Sequence, residues 1–444
     1  MKTPIADFVA AYREKNPIRL HMPGHKGAAI LGCEAMDITE VAGADALYEA
    51  EGIIAESEEN AAGLFGSGRT VYSAEGSSQC IRAMVYLAVT GSQRAERPWI
   101  LAARNAHKAF LYALALCDAD VAWLWPEGSD SLCSCPIRAE QVEHALKHAE
   151  TLPAAVYLTS PDYLGRENPI ADIAEVCHRY GVLLLVDNAH GAYLRFLPQS
   201  RHPMDLGADL CCDSAHKTLP VLTGGAYLHM GKHAPEALRY RAKAAMALFG
   251  STSPSYLILS SLDRCNAYLG GDFPGDLAKA VEAVRRTKAA LQEKGWYVLP
   301  SEPMKITIRA TTGRSGEELA RMLSRKGIEP EYADPEHLVL MPSVMTKPWE
   351  LQALSEALGK APAPPAVPLP MPKAPGKQVL TPREAVFAPQ EVLPTEASLN
   401  RICASPTVGC PPAIPIAVSG ERIEAETIAL FQRYGVKTVA VVKE

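Results

Sequence analysis

Residues 181–186, Gly-Val-Leu-Leu-Leu-Val, form an unbroken apolar run that ends on Asp187. A strand apolar on both faces must be covered on both, which is the situation inside a parallel sheet flanked by helices. Comparable runs at 99–103, 121–125, 154–159 and 210–212 alternate with amphipathic stretches such as 139–146. This alternation predicts an α/β fold built on a mostly parallel sheet with helices on both faces.

Open sheets of this kind bind ligands at the carboxyl ends of their strands. Asp187 sits at one such end, and the next strand delivers Asp213-Ser214-Ala215-His216-Lys217 to the same edge. A carboxylate for a pyridinium nitrogen and a lysine able to form a Schiff base are what a pyridoxal phosphate enzyme requires. Each half is common alone, since most of the 44 Lys and Arg residues are solvated charges.

Upstream, Gly76-Ser77-Ser78 precedes the apolar stretch 80–88. Backbone N–H groups and hydroxyls at such a helix start suit a phosphate, although the same residues also serve as an ordinary serine N-cap. Arg104-Asn105-Ala106-His107-Lys108 follows the run 99–103. The His107 imidazole there can stack on a planar ring or simply satisfy a structural hydrogen bond.

With these motifs in place, the chain resembles the ornithine/lysine/arginine decarboxylase family, in its short bacterial branch, among the fold-type I pyridoxal phosphate enzymes. The resemblance runs through nearly the whole sequence. It is carried by 20–27 (Leu-His-Met-Pro-Gly-His-Lys-Gly), 37–40, 76–78, 105–108, 187–191 (Asp-Asn-Ala-His-Gly), 214–217, 251–256 and 411–415 with Gly420-Glu421. It implies a mostly parallel seven-stranded sheet with helices on both faces and small α+β C-terminal domains. Lys217 would link covalently to the cofactor and Asp187 would pair with the ring nitrogen, while His107 and Ala189 would pack on its opposite faces. Gly76, Ser77, Ser78, Ser214 and His216 would hold the phosphate. Thr252 and Ser253 would reach it from a neighbouring subunit, making a homodimer, or a higher homo-oligomer, a condition of activity. The amine products would be of the kind polyamine synthesis uses.

Three positions depart from the family pattern. The usual Glu after the ring-pairing Asp is Asn188, the usual Tyr of the C-terminal motif is Cys410, and a usual Glu upstream of it is Ser405. Asn188, next to Asp187 on a strand, is expected to point to the other face. The other two replacements bear on substrate identity, because a basic side chain needs an acidic or carbonyl-rich recess.

The 444-residue chain, 48% hydrophobic with a formal charge of -6, has a large core and gives no reason to expect nucleic acid. The absence of a long apolar run or a signal-like start predicts a cytoplasmic protein without membrane contact. Its 11 cysteines, Cys211 and Cys212 adjacent in a strand, argue for reduced thiols. Cys133-Ser134-Cys135 lacks a second ligand pair at finger spacing, and Pro23-Gly24 separates His21 from His25, so no metal is expected. The pattern suggests an N-terminal arm over 1–55, a large cofactor-binding domain over 56–275 and a small α+β domain over 276–360. A proline-rich linker over 361–378 and a terminal module over 379–444 complete it.

The reading is a pyridoxal phosphate-dependent decarboxylase of arginine, lysine or ornithine, with Lys217, His216, Asp187 and His107 as the catalytic set. Lys217 or His216 would return the proton to Cα. Another reaction of the same cofactor, as in an aminotransferase or lyase, and an inactive binding or regulatory paralogue are the alternatives.

Overall fold

Three consecutive apolar positions, Leu184, Leu185 and Val186, vanish completely from solvent in the strand Leu183–Asp187, as a doubly covered strand must. The computed structural model describes residues 1–92, 97–126, 131–367, 376–406 and 414–444. Seven strands make the main sheet: β1 (Arg69–Ser73), β2 (Trp99–Ala103), β3 (Asp120–Leu124), β4 (Ala155–Thr159), β5 (Leu183–Asp187), β6 (Leu210–Asp213) and β7 (Ala226–Met230). Their order is β1-β7-β6-β5-β4-β2-β3. β2 runs parallel to β3 and β4, and β5 to β6, whereas β7 is antiparallel to both β6 and β1. The sheet is therefore mostly parallel, and helices flank it, as the alternation of apolar runs implies.

The chain divides into two compact units, Met1–Gly91 with Ile170–Leu277, and Ser92–Pro169 with Ala278–Glu444. In the first, an aromatic cluster packs Phe65 against His202, Tyr227 and His229, and Tyr72 against Tyr227. A buried ion pair, Lys243 Nζ to Glu58 Oε1 at 2.6 Å, is satisfied further by the Tyr72 amide, which donates to the same oxygen at 2.9 Å. Such a pair persists because its remaining hydrogen-bonding capacity is used.

The second unit carries two smaller sheets. β8 (Ile306–Arg309), β9 (Tyr332–Ala333) and β10 (His337–Leu340) lie in the antiparallel order β8-β10-β9. The first part of the proline-rich stretch runs extended beside the end of β8: Thr312 N donates to Pro364 O at 2.9 Å and Ala366 N to Ala310 O at 2.8 Å. Proline suits this role because only its carbonyl is asked to bond. Residues 368–375 of the expected linker lie outside the described residues. β11 (Gln390–Pro394) and β12 (Thr438–Val442) pair antiparallel over a small core of Cys403, Ile423, Phe431, Val439 and Val441.

Arg104, just past β2, joins that terminal module to the rest of its unit. Its guanidinium lies 5.2 Å and 5.5 Å from the Trp123 and Trp125 rings and donates to Pro415 O at 2.9 Å and Ile416 O at 2.8 Å. Among the described residues no helix is long and apolar enough to cross a membrane, and the described cysteines are all free thiols.

Candidate active site

The pleat of β5 decides which of its last side chains face a common site. Asp187 is paired in register with Cys212 of β6, whose thiol lies 3.6 Å from Asp187 Oδ1. Burial pushes the Cys212 thiol far up, so it stays protonated and can donate weakly to that carboxylate. The Ala189 amide donates to the same oxygen at 3.1 Å. Asn188 points the other way, as the alternation of a strand requires, and its Nδ2 donates to Asp213 Oδ1 at 2.6 Å.

After β6 the chain turns at Ser214 into a single helical turn, Ala215–Thr218. His216 is tied back by its own amide and by Nδ1, both to Gly225 O, at 3.2 and 3.1 Å. Lys217, part-buried, places Nζ 2.9 Å from His190 Nε2. His190 is 4% exposed and follows β5 by three residues. The sequence reading gave it no role, and its only sequence signal is its place in Asp-Asn-Ala-His-Gly.

The serine cup assembles around a left-handed glycine. Gly76 has φ 75°, and its amide donates to Gly224 O at 2.7 Å. Gly224, φ 98°, passes so near β1's exit that an added Cβ would stand 2.9 Å from Ala74 O. Nothing lies within 4 Å of where a Cβ on Gly76 would be, so open space faces the turn. Ser77 begins the helix Ser77–Gly91, and Ser214 Oγ donates to Ser77 Oγ at 2.7 Å, bringing the hydroxyls of two distant motifs together. Ser78 is the second residue of the same helix. A helix N-terminus with converging hydroxyls and an open glycine turn is chemically suited to a phosphate.

Thr252 and Ser253 are exposed on a loop whose Ser251 amide donates to the Glu75 carboxylate and whose Ser253 amide donates to Ser251 Oγ at 3.1 Å. In the second unit, His107 follows β2 and caps the helix Lys108–Cys117, its Nδ1 accepting from Ala109 N at 3.1 Å. That bond fixes the ring and leaves Nδ1 unprotonated.

The remaining sequence candidates have ordinary partners. His25 Nε2 pairs with Asp37 Oδ2 at 3.0 Å, and His21 Nε2 with the Tyr12 hydroxyl at 2.6 Å. Cys133 lies 3.6 Å from the Tyr332 hydroxyl, and burial pushes the Cys135 thiol up to about 11. Of the altered C-terminal positions, Ser405 accepts through its carbonyl from Cys403 Sγ at 3.4 Å, while Cys410 lies outside the described residues.

Residues 3–312 match the model of a family described as Orn/Lys/Arg decarboxylase, major domain. An arginine decarboxylase of Halalkalibacterium halodurans is 30% identical over 97% of this chain and 93% of its own length. An uncharacterized protein of Bacillus subtilis, YaaO, is 29% identical over 98% and 94%. Among solved structures, the lysine decarboxylase LdcF of Francisella novicida superposes with a TM-score of 0.82, covering 99% of this chain and 81% of that one at 16% identity. That likeness is one of fold.

Proposed function

Because the chain belongs to the Orn/Lys/Arg decarboxylase family, we propose that it is a pyridoxal phosphate-dependent decarboxylase of a basic amino acid: arginine, lysine or ornithine. What supports this reading is that, at or just past the ends of β5 and β6, the Ala189 amide holds the Asp187 carboxylate, Lys217 Nζ lies against His190 and the Ser77 and Ser214 hydroxyls pair. The donor set fits the cofactor. Gly76, Ser77, Ser78, Ser214 and His216 would hold its phosphate, with Thr252 and Ser253 supplied by a second copy. Asp187 would take its ring nitrogen, His107 and Ala189 its faces, and Lys217 its aldehyde. When bound, the cofactor supplies a covalent anchor for the substrate amine and an electron sink for the bond to the departing carboxylate.

The chain's own residues supply the rest. Asp187 presents a fixed negative charge, preorganised by the Ala189 amide and the Cys212 thiol. Lys217 Nζ, at 2.9 Å from His190 Nε2, can exchange a proton with that imidazole and return one to the substrate's Cα, with His216 as the neighbouring candidate for the same task. Ser405 and Cys410, at positions where the family pattern would have Glu and Tyr, would leave out groups able to line a recess for a cationic side chain. A polar pocket rejects an analogue lacking its partner group steeply, whereas an apolar one discriminates weakly.

Headspace CO2 measured with a panel of amino acids tests the proposal. Release of CO2 from arginine, lysine or ornithine, with the matching amine, is the expected result, and the steepness of the panel reports the pocket. Consumption of amino acid without CO2 would indicate an aminotransferase or lyase. Cofactor binding with no turnover of any kind would indicate a regulatory paralogue.

A further inference from the structure

Behind the candidate site, on the face of the sheet that Asp187 does not use, lies a second buried carboxylate. Asp213 closes β6, is fully buried, and immediately precedes Ser214. Its Oδ2 is 2.9 Å from His202 Nε2 and 3.1 Å from His229 Nε2, both imidazoles also being fully buried. Its Oδ1 accepts from Asn188 Nδ2 at 2.6 Å, with the Cys211 thiol at 3.8 Å.

The far nitrogens settle the charge of this cluster. His202 Nδ1 accepts from the Met204 backbone amide at 3.3 Å, and an amide can only donate, so that nitrogen carries no proton. His229 Nδ1 faces the Thr70 hydroxyl at 2.8 Å, and Thr70 is itself bonded to Ser67. Burial lowers the His229 pKa, so this imidazole too is neutral and takes the hydroxyl's proton as an acceptor. Both rings are therefore Nε2–H tautomers donating to Asp213. Three donors, His202 Nε2, His229 Nε2 and Asn188 Nδ2, thus converge on the buried Asp213 carboxylate and favour its charged form.

Other titratable groups near it do not neutralise it. The thiols of Cys80 on the helix Ser77–Gly91 and of Cys211 and Cys212 on β6, and the Tyr227 hydroxyl on β7, are all raised by burial and stay neutral. Asp187 at the end of β5 is of the same sign. Among the described residues no Lys or Arg pairs with Asp213.

We propose that Asp213, gripped by His202, His229 and Asn188, is a positioning residue of the site that fixes the ends of β5 and β6 and sets one uncompensated negative charge behind them. That charge favours the cationic form of a group bound at Asp187 and Lys217. The departure at Asn188 belongs to the same device, because a Glu there would press a second carboxylate on Asp213, whereas the amide donates to it. The inference rests on the proposed cofactor.

The test titrates the visible absorbance of bound pyridoxal phosphate against pH in the parent and in Asp213→Asn. Loss of the charge should move the midpoint down by about one pH unit while the apoprotein still folds. An unchanged midpoint would overturn the proposal, since a merely structural role alters thermal stability and not this titration. Failure of the parent to bind the cofactor would instead sink the functional reading itself. Should Asp213→Asn not fold, nitrogen NMR of the cofactor-free parent decides. His202 and His229 must be neutral Nε2–H tautomers, and an imidazolium at either would overturn the proposal by balancing the charge.

Discussion

Asp187 and Asn188 are consecutive, yet one faces the candidate site and the other a buried carboxylate, and this division follows from the two-residue period of a strand alone. The sequence was sufficient here, because the apolar run fixed the strand and the strand fixed the faces. It was insufficient for His190, whose contact with Lys217 spans 27 positions and two strand ends that only the sheet brings together. Two outcomes are expected at this scale. Asp187→Asn should retain cofactor but lose the charge opposite its ring nitrogen, lowering turnover well beyond tenfold, a loss of several kcal/mol of transition-state stabilisation. Turnover within tenfold of the parent would contradict the role. Lys217→Ala should fold normally and yield no cofactor bound covalently after borohydride reduction. Reduced cofactor on any other lysine, found by peptide mass analysis, would show that the assignment is wrong.

At the scale of elements, β2 to β6 were visible as apolar runs, whereas β1 and β7 were not. β1 carries Arg69, Thr70 and Ser73 among its five residues, and β7, though bounded by Gly225 and Gly231, has His229 within it, so neither presents an unbroken apolar run. The helix Phe273–Glu293 begins ahead of the domain boundary expected at 276, because Pro274 is tolerated in a first turn, where its missing N–H has no partner to lose. The turn at Gly76 should tolerate side chains poorly for a backbone reason and not for lack of room. Gly76→Val should cost about 1–2 kcal/mol of strain at φ 75° and weaken cofactor affinity, read by absorbance titration; undiminished affinity would remove this turn from the phosphate site. Arg104 acts at the same scale, since its two donated hydrogen bonds hold the backbone carbonyls of Pro415 and Ile416 in the terminal module. Arg104→Ala should destabilise the protein by about 3 kcal/mol, measured by denaturant unfolding, with Arg104→Lys recovering only part because an ammonium cannot fork to two carbonyls.

At the scale of the whole molecule, the sequence gives boundaries along the chain, while the compact grouping is discontinuous, with 92–169 packed among residues from 278 onward. Composition carries no mark of such a grouping, because each segment has its own apolar run and its own helices. Assembly beyond one chain is the corresponding question. Thr252 and Ser253 stand exposed on a loop tied at its base to Glu75, which directly precedes Gly76. If they supply phosphate contacts to a second copy, the active species is a two-fold dimer with two composite sites, each drawing Lys217 from one chain and the hydroxyls from the other. A chain carrying Lys217→Ala and a chain carrying Thr252→Ala with Ser253→Ala should each have little or no activity alone. In a mixed dimer one site receives both defects and the other receives neither, so one native site per heterodimer is restored. With random exchange, half of all dimers are mixed, and the mixture should recover about a quarter of the parent's activity per chain. Heterodimers shown by mass to form but without recovered turnover would mean that each site is built from a single chain, and that the exposed loop serves another purpose.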